Sequence, residues 1–189
     1  MCIRDSSSAN KSERYAYLWK TSNVTLAPKF PVLISELSSK VEREPYLAKF
    51  RCKNEVLTIL NYHACTHTKY YPERAEIAAI TSWIKSHRAE NIIWAGDMNL
   101  VIDDKAFDDI LAFNCKSALH GEKTSLKKSC KSGEYLSRAE DNLIYSLRTL
   151  KYKGGGVLDF IQGQNCDDVS WIRNSYSDHL PVALKLSSE

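Results

Sequence analysis

The chain has 189 residues, of which 43% are hydrophobic and 26% charged, and a formal net charge of +3. That is one ordinary globular domain by length, and the balance excludes a disordered, collagen-like or low-complexity chain. The charge is too small to attract a polyanion by itself, and no apolar run approaches the length of a membrane span.

Residues 1–12 are polar, without a period, and Met1 to Ser8 lacks the apolar core of a signal peptide. Tyr15, Tyr17 and Trp19 alternate with Arg14, Ala16 and Leu18, which predicts a strand. Pro28 and Pro31 mark a loop. Tyr46 to Cys52 and Val56 to Ala64 predict two more strands, the second apolar enough to be covered on both faces.

Pro72 with Glu73 and Glu76 suits the start of a helix, where acidic residues meet the positive dipole end. Ile77, Ile80 and Ile84, with Ala79 and Trp83, continue it at helical spacing to about His87. A short apolar strand, Asn91 to Ala95, runs into Gly96-Asp97-Met98-Asn99. Phe107 to Phe113 predicts a short helix, and residues 114–138 read as irregular. Asp141 to Ser146 predicts a strand, Gly154-Gly155-Gly156 a flexible turn, and Cys166 to Asn174 a short helix. The last strand is Leu180 to Leu186, with Leu180, Val182, Leu184 and Leu186 on one face. The pattern predicts a layered α/β chain with mixed or antiparallel sheets.

Cysteines stand at 2, 52, 65, 115, 130 and 166, without a C-x-x-C pair. That excludes a zinc ribbon or a thioredoxin-type motif. Most are expected to be small buried apolar residues, with one disulfide left open for a secreted chain.

Two segments suggest chemistry. Asp97 and Asn99 follow a buried strand and, if extended, point the same way, which makes a hard-oxygen pair for a divalent cation. Taken alone, the segment is more often an ordinary turn. Ser177-Asp178-His179 precedes the final strand; a His beside an Asp is a general acid or base, or a polar strand entry. His87 fits the negative end of a helix, while His67 and His120 fall in polar loops. Trp83 and Trp94 read as core. Lys123, Lys127, Lys128 and Lys131 form either a solvated loop or a contact to a nucleic-acid backbone.

Taken in order, six segments resemble the endonuclease/exonuclease/phosphatase superfamily, the pancreatic DNase-like fold. They are Lys11 to Leu18 with Glu13-Arg14-Tyr15, Arg43-Glu44-Pro45, and Asn61-Tyr62-His63-Ala64. Gly96-Asp97-Met98-Asn99, Ala139-Glu140-Asp141-Asn142-Leu143-Ile144 and Ser177-Asp178-His179-Leu180-Pro181-Val182 complete the set. The resemblance implies a four-layer sandwich, two packed sheets flanked by helices, over residues 11–189. Residues 1–10 stay unmatched. It further implies that the chain starts inside a larger fold, because the family's first strand and its metal-binding Glu should precede Glu13.

The same resemblance implies a site. His63 and His179 flank a scissile phosphate, with Glu13 orienting His63 and Asp141 orienting His179. Asp97, Asn99 and Asp178 hold a divalent cation, Mg²⁺ or else Mn²⁺ or Ca²⁺, and Arg43 and Asn142 contact phosphate. A His at 63 with a Glu at 13 favours the DNase-like branch over the abasic-site repair branch, which has Tyr there. Lys11, where that branch has an aromatic, removes one base-stacking group. The implied activity is metal-dependent phosphodiester hydrolysis by a DNase-like endonuclease, monomeric and acting on nucleic acid. The alternatives are a phosphatase, a sphingomyelinase-like phosphodiesterase, or an inactive phosphate-binding module.

Overall fold

The computed structural model describes residues 2–5, 14–66, 72–162 and 164–188. Strands β1 (Cys2–Asp5) and β2 (Arg14–Tyr17) pair antiparallel. The sequence reading sets residues 1–10 aside, yet four of them are built into this ladder. Short strands β3 (Thr25–Leu26) and β4 (Val32–Leu33) both pair with β5 (Tyr46–Cys52). A tight hairpin leads to β6 (Glu55–Asn61), then comes α1 (Glu73–Ser86) and β7 (Asn91–Asp97). Next come α2 (Asp108–Ala112), β8 (Lys116–Ser117), and a hairpin of β9 (Leu126–Lys131) and β10 (Glu134–Leu136). The chain closes with β11 (Asp141–Leu147), β12 (Lys151–Val157), α3 (Cys166–Ser175) and β13 (Val182–Ser187).

The central sheet has seven strands in the order β3-β5-β6-β7-β11-β8, with β4 also on β5. Only β6 and β7 are parallel, and α1 is their crossover. Alternation along the strands builds a layer on each face. Leu60, Ile92, Trp94 and Ile144 turn one way, onto Ile77, Ile80 and Ile84 of α1 and Phe107 and Ile110 beside and within α2. Ile93, Leu143 and Tyr145 turn the other way, against Val182, Leu184 and Leu186 of β13. On that same second layer, Tyr15 and Tyr17 of β2 pack on Tyr46, Ala48 and Phe50 of β5. A further cluster, Leu126, Ile161, Val169 and Leu180, seats α3 on β9.

Two predicted irregular stretches are regular. Residues 114–138 contain β8, β9 and β10. The glycine triplet lies inside β12 rather than in a turn, paired through Gly155↔Leu184 and Gly156↔Ala183. A Cβ on Gly155 would come 3.0 Å from the Ala183 carbonyl oxygen and 3.1 Å from the Ala118 methyl, so a side chain there would wedge the layers apart. Cys130 of β9 and Cys166 of α3 form a disulfide across 5.1 Å between Cα atoms. Of the other described side chains, Cys65 and Cys115 are buried as expected, and Cys52 is exposed.

Candidate active site

The site is built where the parallel pair ends. Beyond its last strand residue, the β6 chain keeps its place beside β7. The Tyr62 amide donates to the Ala95 carbonyl (3.0 Å) and the Ala64 amide to that of Asp97 (2.9 Å). This close contact requires glycine at 96. Its φ is +141°, and a Cβ would fall 1.8 Å from the Tyr62 carbonyl oxygen. His63 is thereby set on one flank of Asp97. On the other flank β11 pairs Asp141 directly opposite Asp97. Adjacent strands stand about 4.8 Å apart, so the two carboxylates and the imidazole share one rim.

His179 comes from the far end of the chain. The segment before β13 makes a single antiparallel bridge between His179 and Ser125, and the Leu180 amide donates to the Thr124 carbonyl (2.8 Å). Thr124, fully buried, also accepts the Asp141 amide on its hydroxyl (3.2 Å). One residue therefore fixes the backbone of Asp141 and of Leu180, the neighbour of His179. Their side chains meet with His179 Nδ1 2.5 Å from an Asp141 carboxylate oxygen. That leaves Nε2 facing inward, 3.7 Å from Asp97 Oδ2, while His63 Nε2 stands 3.6 Å from the same oxygen. Asp97 thus lies between two imidazoles.

His63, Thr66, Asp97, Asn99, Asp141, Asp178 and His179 line one open cavity of about 400 Å³. Six of these seven are expected from the sequence. Thr66 is the addition, and nothing in its neighbourhood of the sequence marks it. Glu13 lies outside the described residues, as does His67. His87 stacks on Trp83, ring centroids 4.3 Å apart, and does not line this cavity.

Two residues expected to contact phosphate have buried side chains that bond other parts of the fold. Arg43 is only 5% exposed, and its Nη1 donates to the His63 and Ala64 carbonyls (3.3 and 3.2 Å). It braces the back of the His63 segment and does not line the cavity. Asn142 is buried as well; its side-chain oxygen accepts the Ser117 hydroxyl (2.8 Å) and its neighbour's amide. It joins β11 to β8. A strand alternates its faces, so with Asp141 turned to the cavity, Asn142 turns away.

The brace has a second, unanticipated member. Glu76, in the first turn of α1, has no exposed surface. Its carboxylate accepts the Glu42 amide (2.5 Å), the Cys65 amide (2.8 Å) and the Tyr62 hydroxyl. Burial and the adjacent Glu76 carboxylate push the Tyr62 phenol far above its usual range. Asn99 adds a front tie: its side-chain amide donates to the Ala64 carbonyl (2.9 Å), and its backbone amide to Asp97 Oδ1 (2.9 Å). The positive φ of Asn99, +50°, turns the chain back to make both bonds.

The electrostatics are coupled. The hydrogen bond to Asp141 raises His179 to about 9, against the opposing effect of burial. Asp97 is raised, first by burial and then by the charge of Asp141, while the Asn99 amide and both imidazoles oppose. Ligand atoms of Asp97, Asp141 and His179 all lie within 4.8 Å of one another. Two carboxylates and an imidazole at that spacing suit a divalent cation, and a cation there would relieve the strain on the Asp97 charge. Asp178 lines the cavity outside that trio, with Arg173 on its carboxylate at 3.3 Å.

No family model matches the sequence, and no curated protein matches it. Solved structures do match in three dimensions. A functionally unknown conserved protein from Enterococcus faecalis V583 superposes with a TM-score of 0.69 at 13% identity, covering 100% of this chain and 76% of that one. TDP2 from D. rerio, complexed with a single strand DNA product, gives 0.63 at 16% identity, covering 89% and 70%. The endonuclease/exonuclease/phosphatase from Bacteroides vulgatus gives 0.61 at 14%, covering 90% and 69%. This is the endonuclease/exonuclease/phosphatase fold. In that fold the cavity found here opens at the strand ends of the central sheet, where β6, β7 and β11 deliver His63, Asp97 and Asp141. No helix among the described residues is long and apolar enough to cross a membrane.

Proposed function

We propose that the chain is a metal-dependent phosphodiester hydrolase of the endonuclease/exonuclease/phosphatase type, acting on nucleic acid in the manner of a DNase-like endonuclease. In this reading residues 11–189 are the hydrolase domain. One observation carries it: two imidazoles face a single carboxylate, Asp97, inside a cavity with two further carboxylates and an amide. A catalytic pair on opposite sides of a reacting phosphorus needs such a spacing.

His179 and His63 divide the proton work. Asp141 on Nδ1 fixes the His179 tautomer and orients Nε2 at the cavity. Raised to about 9, His179 is protonated at neutral pH, which suits it to stabilise the phosphorane charge and protonate the leaving oxygen. His63, across Asp97, is left to accept the proton of the attacking water. Asp97, Asn99 and Asp178 would hold a divalent cation and position water and phosphate oxygens around it, while Asp141 stays with His179. That cation, when bound, neutralises phosphate charge and stabilises the transition state. Arg43 and Glu76 act at one remove, holding the main chain that carries His63.

Plasmid nicking against hydrolysis of a phosphomonoester, each with Mg²⁺ or Mn²⁺, tests the substrate class. Nicking that needs the metal and exceeds phosphomonoester turnover is the expected result. Turnover of the monoester alone would move the reading to a phosphatase. No turnover of either would leave a phosphate-binding module.

A further inference from the structure

At the other end of β7 and β11 lies a second cavity of about 360 Å³. Part of its lining is apolar, including Ile84, Ile92 and Phe113. Two arginines, Arg88 and Arg148, also line it, and none of its lining residues is acidic. The volume falls within the range of small-molecule sites, and the pairing of apolar wall with a few polar groups is typical of them.

The main chain at Arg148 is pinned, and neither arginine is neutralised. The Arg148 amide donates to the Glu90 carbonyl (3.0 Å) and to the side-chain oxygen of Asn91 (3.1 Å). That same Asn91 oxygen also accepts the amides of Thr149 and Leu150, and its NH₂ donates to the Val56 carbonyl and the Thr149 hydroxyl. Asn91 is buried, so the turn that carries Arg148 is pinned from inside the fold. Arg88 follows the end of α1 and lies over the Phe113 ring, 5.4 Å from its centroid. Neither guanidinium has a carboxylate partner among the described residues. The nearby Asp109 carboxylate is taken by Lys85 at 2.6 Å. Unpaired guanidinium forks beside a dry wall match an oxyanion attached to an apolar body.

We infer that this cavity binds a small organic anion, a carboxylate or phosphate on a compact apolar group, at a site separate from the candidate active site. The six steps from Asn91 to Asp97 put the two cavities about 20 Å apart along the strand. The catalytic cavity is lined by three aspartates and would repel a metal-free anion, so the two sites select differently.

The test is calorimetric titration of the metal-free chain with 1-naphthoate, with 1-naphthyl phosphonate, and with the neutral 1-naphthalenemethanol, at low salt. Binding of one or both anions is expected, at least tenfold tighter than the neutral alcohol, and which anion binds better tells carboxylate from phosphate. The double variant Arg88→Gln, Arg148→Gln should weaken that binding at least tenfold with an unchanged circular dichroism spectrum, because both side chains are on the surface. His179→Ala should leave it unaltered. No binding of either anion at millimolar concentration, equal binding of the alcohol, or wild-type affinity in the double variant would each overturn the inference.

Discussion

The two imidazoles of the candidate site are held in opposite ways. His179 is fixed through its side chain: Asp141 takes Nδ1 at 2.5 Å, and Thr124 accepts the amide of the next residue, Leu180. The chain carrying His63 is fixed through the main chain: Arg43 and Asn99 take carbonyls, Glu76 takes the amide of Cys65, and the Tyr15 hydroxyl accepts the His63 amide at 3.2 Å. One half of the site is tuned by charge, the other by buried scaffolding. Substitutions should therefore separate them. Damage to the His63 half should appear as lost stability, and damage to the His179 half as a changed titration.

The largest effect is expected at the seam between β6 and β7. Gly96→Ala places a methyl 1.8 Å from the Tyr62 carbonyl oxygen, at a φ that a side chain resists. The strand ends must part, costing about 4 kcal/mol or more and shifting His63 from Asp97. Urea unfolding measures it; a loss under 1 kcal/mol would mean that the seam gives way freely. Glu76→Leu should follow closely. It leaves two amides and a hydroxyl without their buried acceptor, a loss of roughly 3 kcal/mol by the same measurement.

Asp141→Asn should act differently. Asp141 chiefly sets the His179 titration, so the variant should bring His179 down from about 9 toward 6.5, seen in the imidazole proton shifts by NMR. The sign for stability follows. A folded-state value raised above the unfolded one stabilises fully below about pH 6.5 and is lost as pH rises through 9. Wild type should therefore exceed Asp141→Asn by roughly 1–3 kcal/mol at pH 6, and the gap should close by pH 10. An unshifted His179, or a gap that widens with pH, would show that Asp141 does not hold the charge.

Much of this was legible in the sequence. Apolar period and flanking punctuation mark β5, β6, α1, β7, β11 and β13, because those elements bury a face or both faces. The hairpin of β9 and β10 is lysine-rich and largely exposed, so no apolar period announces it. The triple glycine of β12 reads as a turn because the reason for it, close contact with Ala183 and Ala118, lies in another layer. The order of short motifs placed His63, Asp97, Asn99, Asp141, Asp178 and His179 in one cavity. It could not separate Arg43 and Asn142 from that cavity, since burial behind it leaves no mark in a motif. Glu76 was read as a helix-start acid; that it also receives three donors depends on loops that only the fold brings together.

The central claim is that His63 and His179 act on one phosphate across Asp97. The direct measurement is metal-dependent turnover of a phosphodiester by His63→Ala and His179→Ala, each checked for a native circular dichroism spectrum. Each variant should lose about 10²–10⁴-fold in kcat relative to wild type. A folded variant of either histidine that turns over at the wild-type rate would contradict the account.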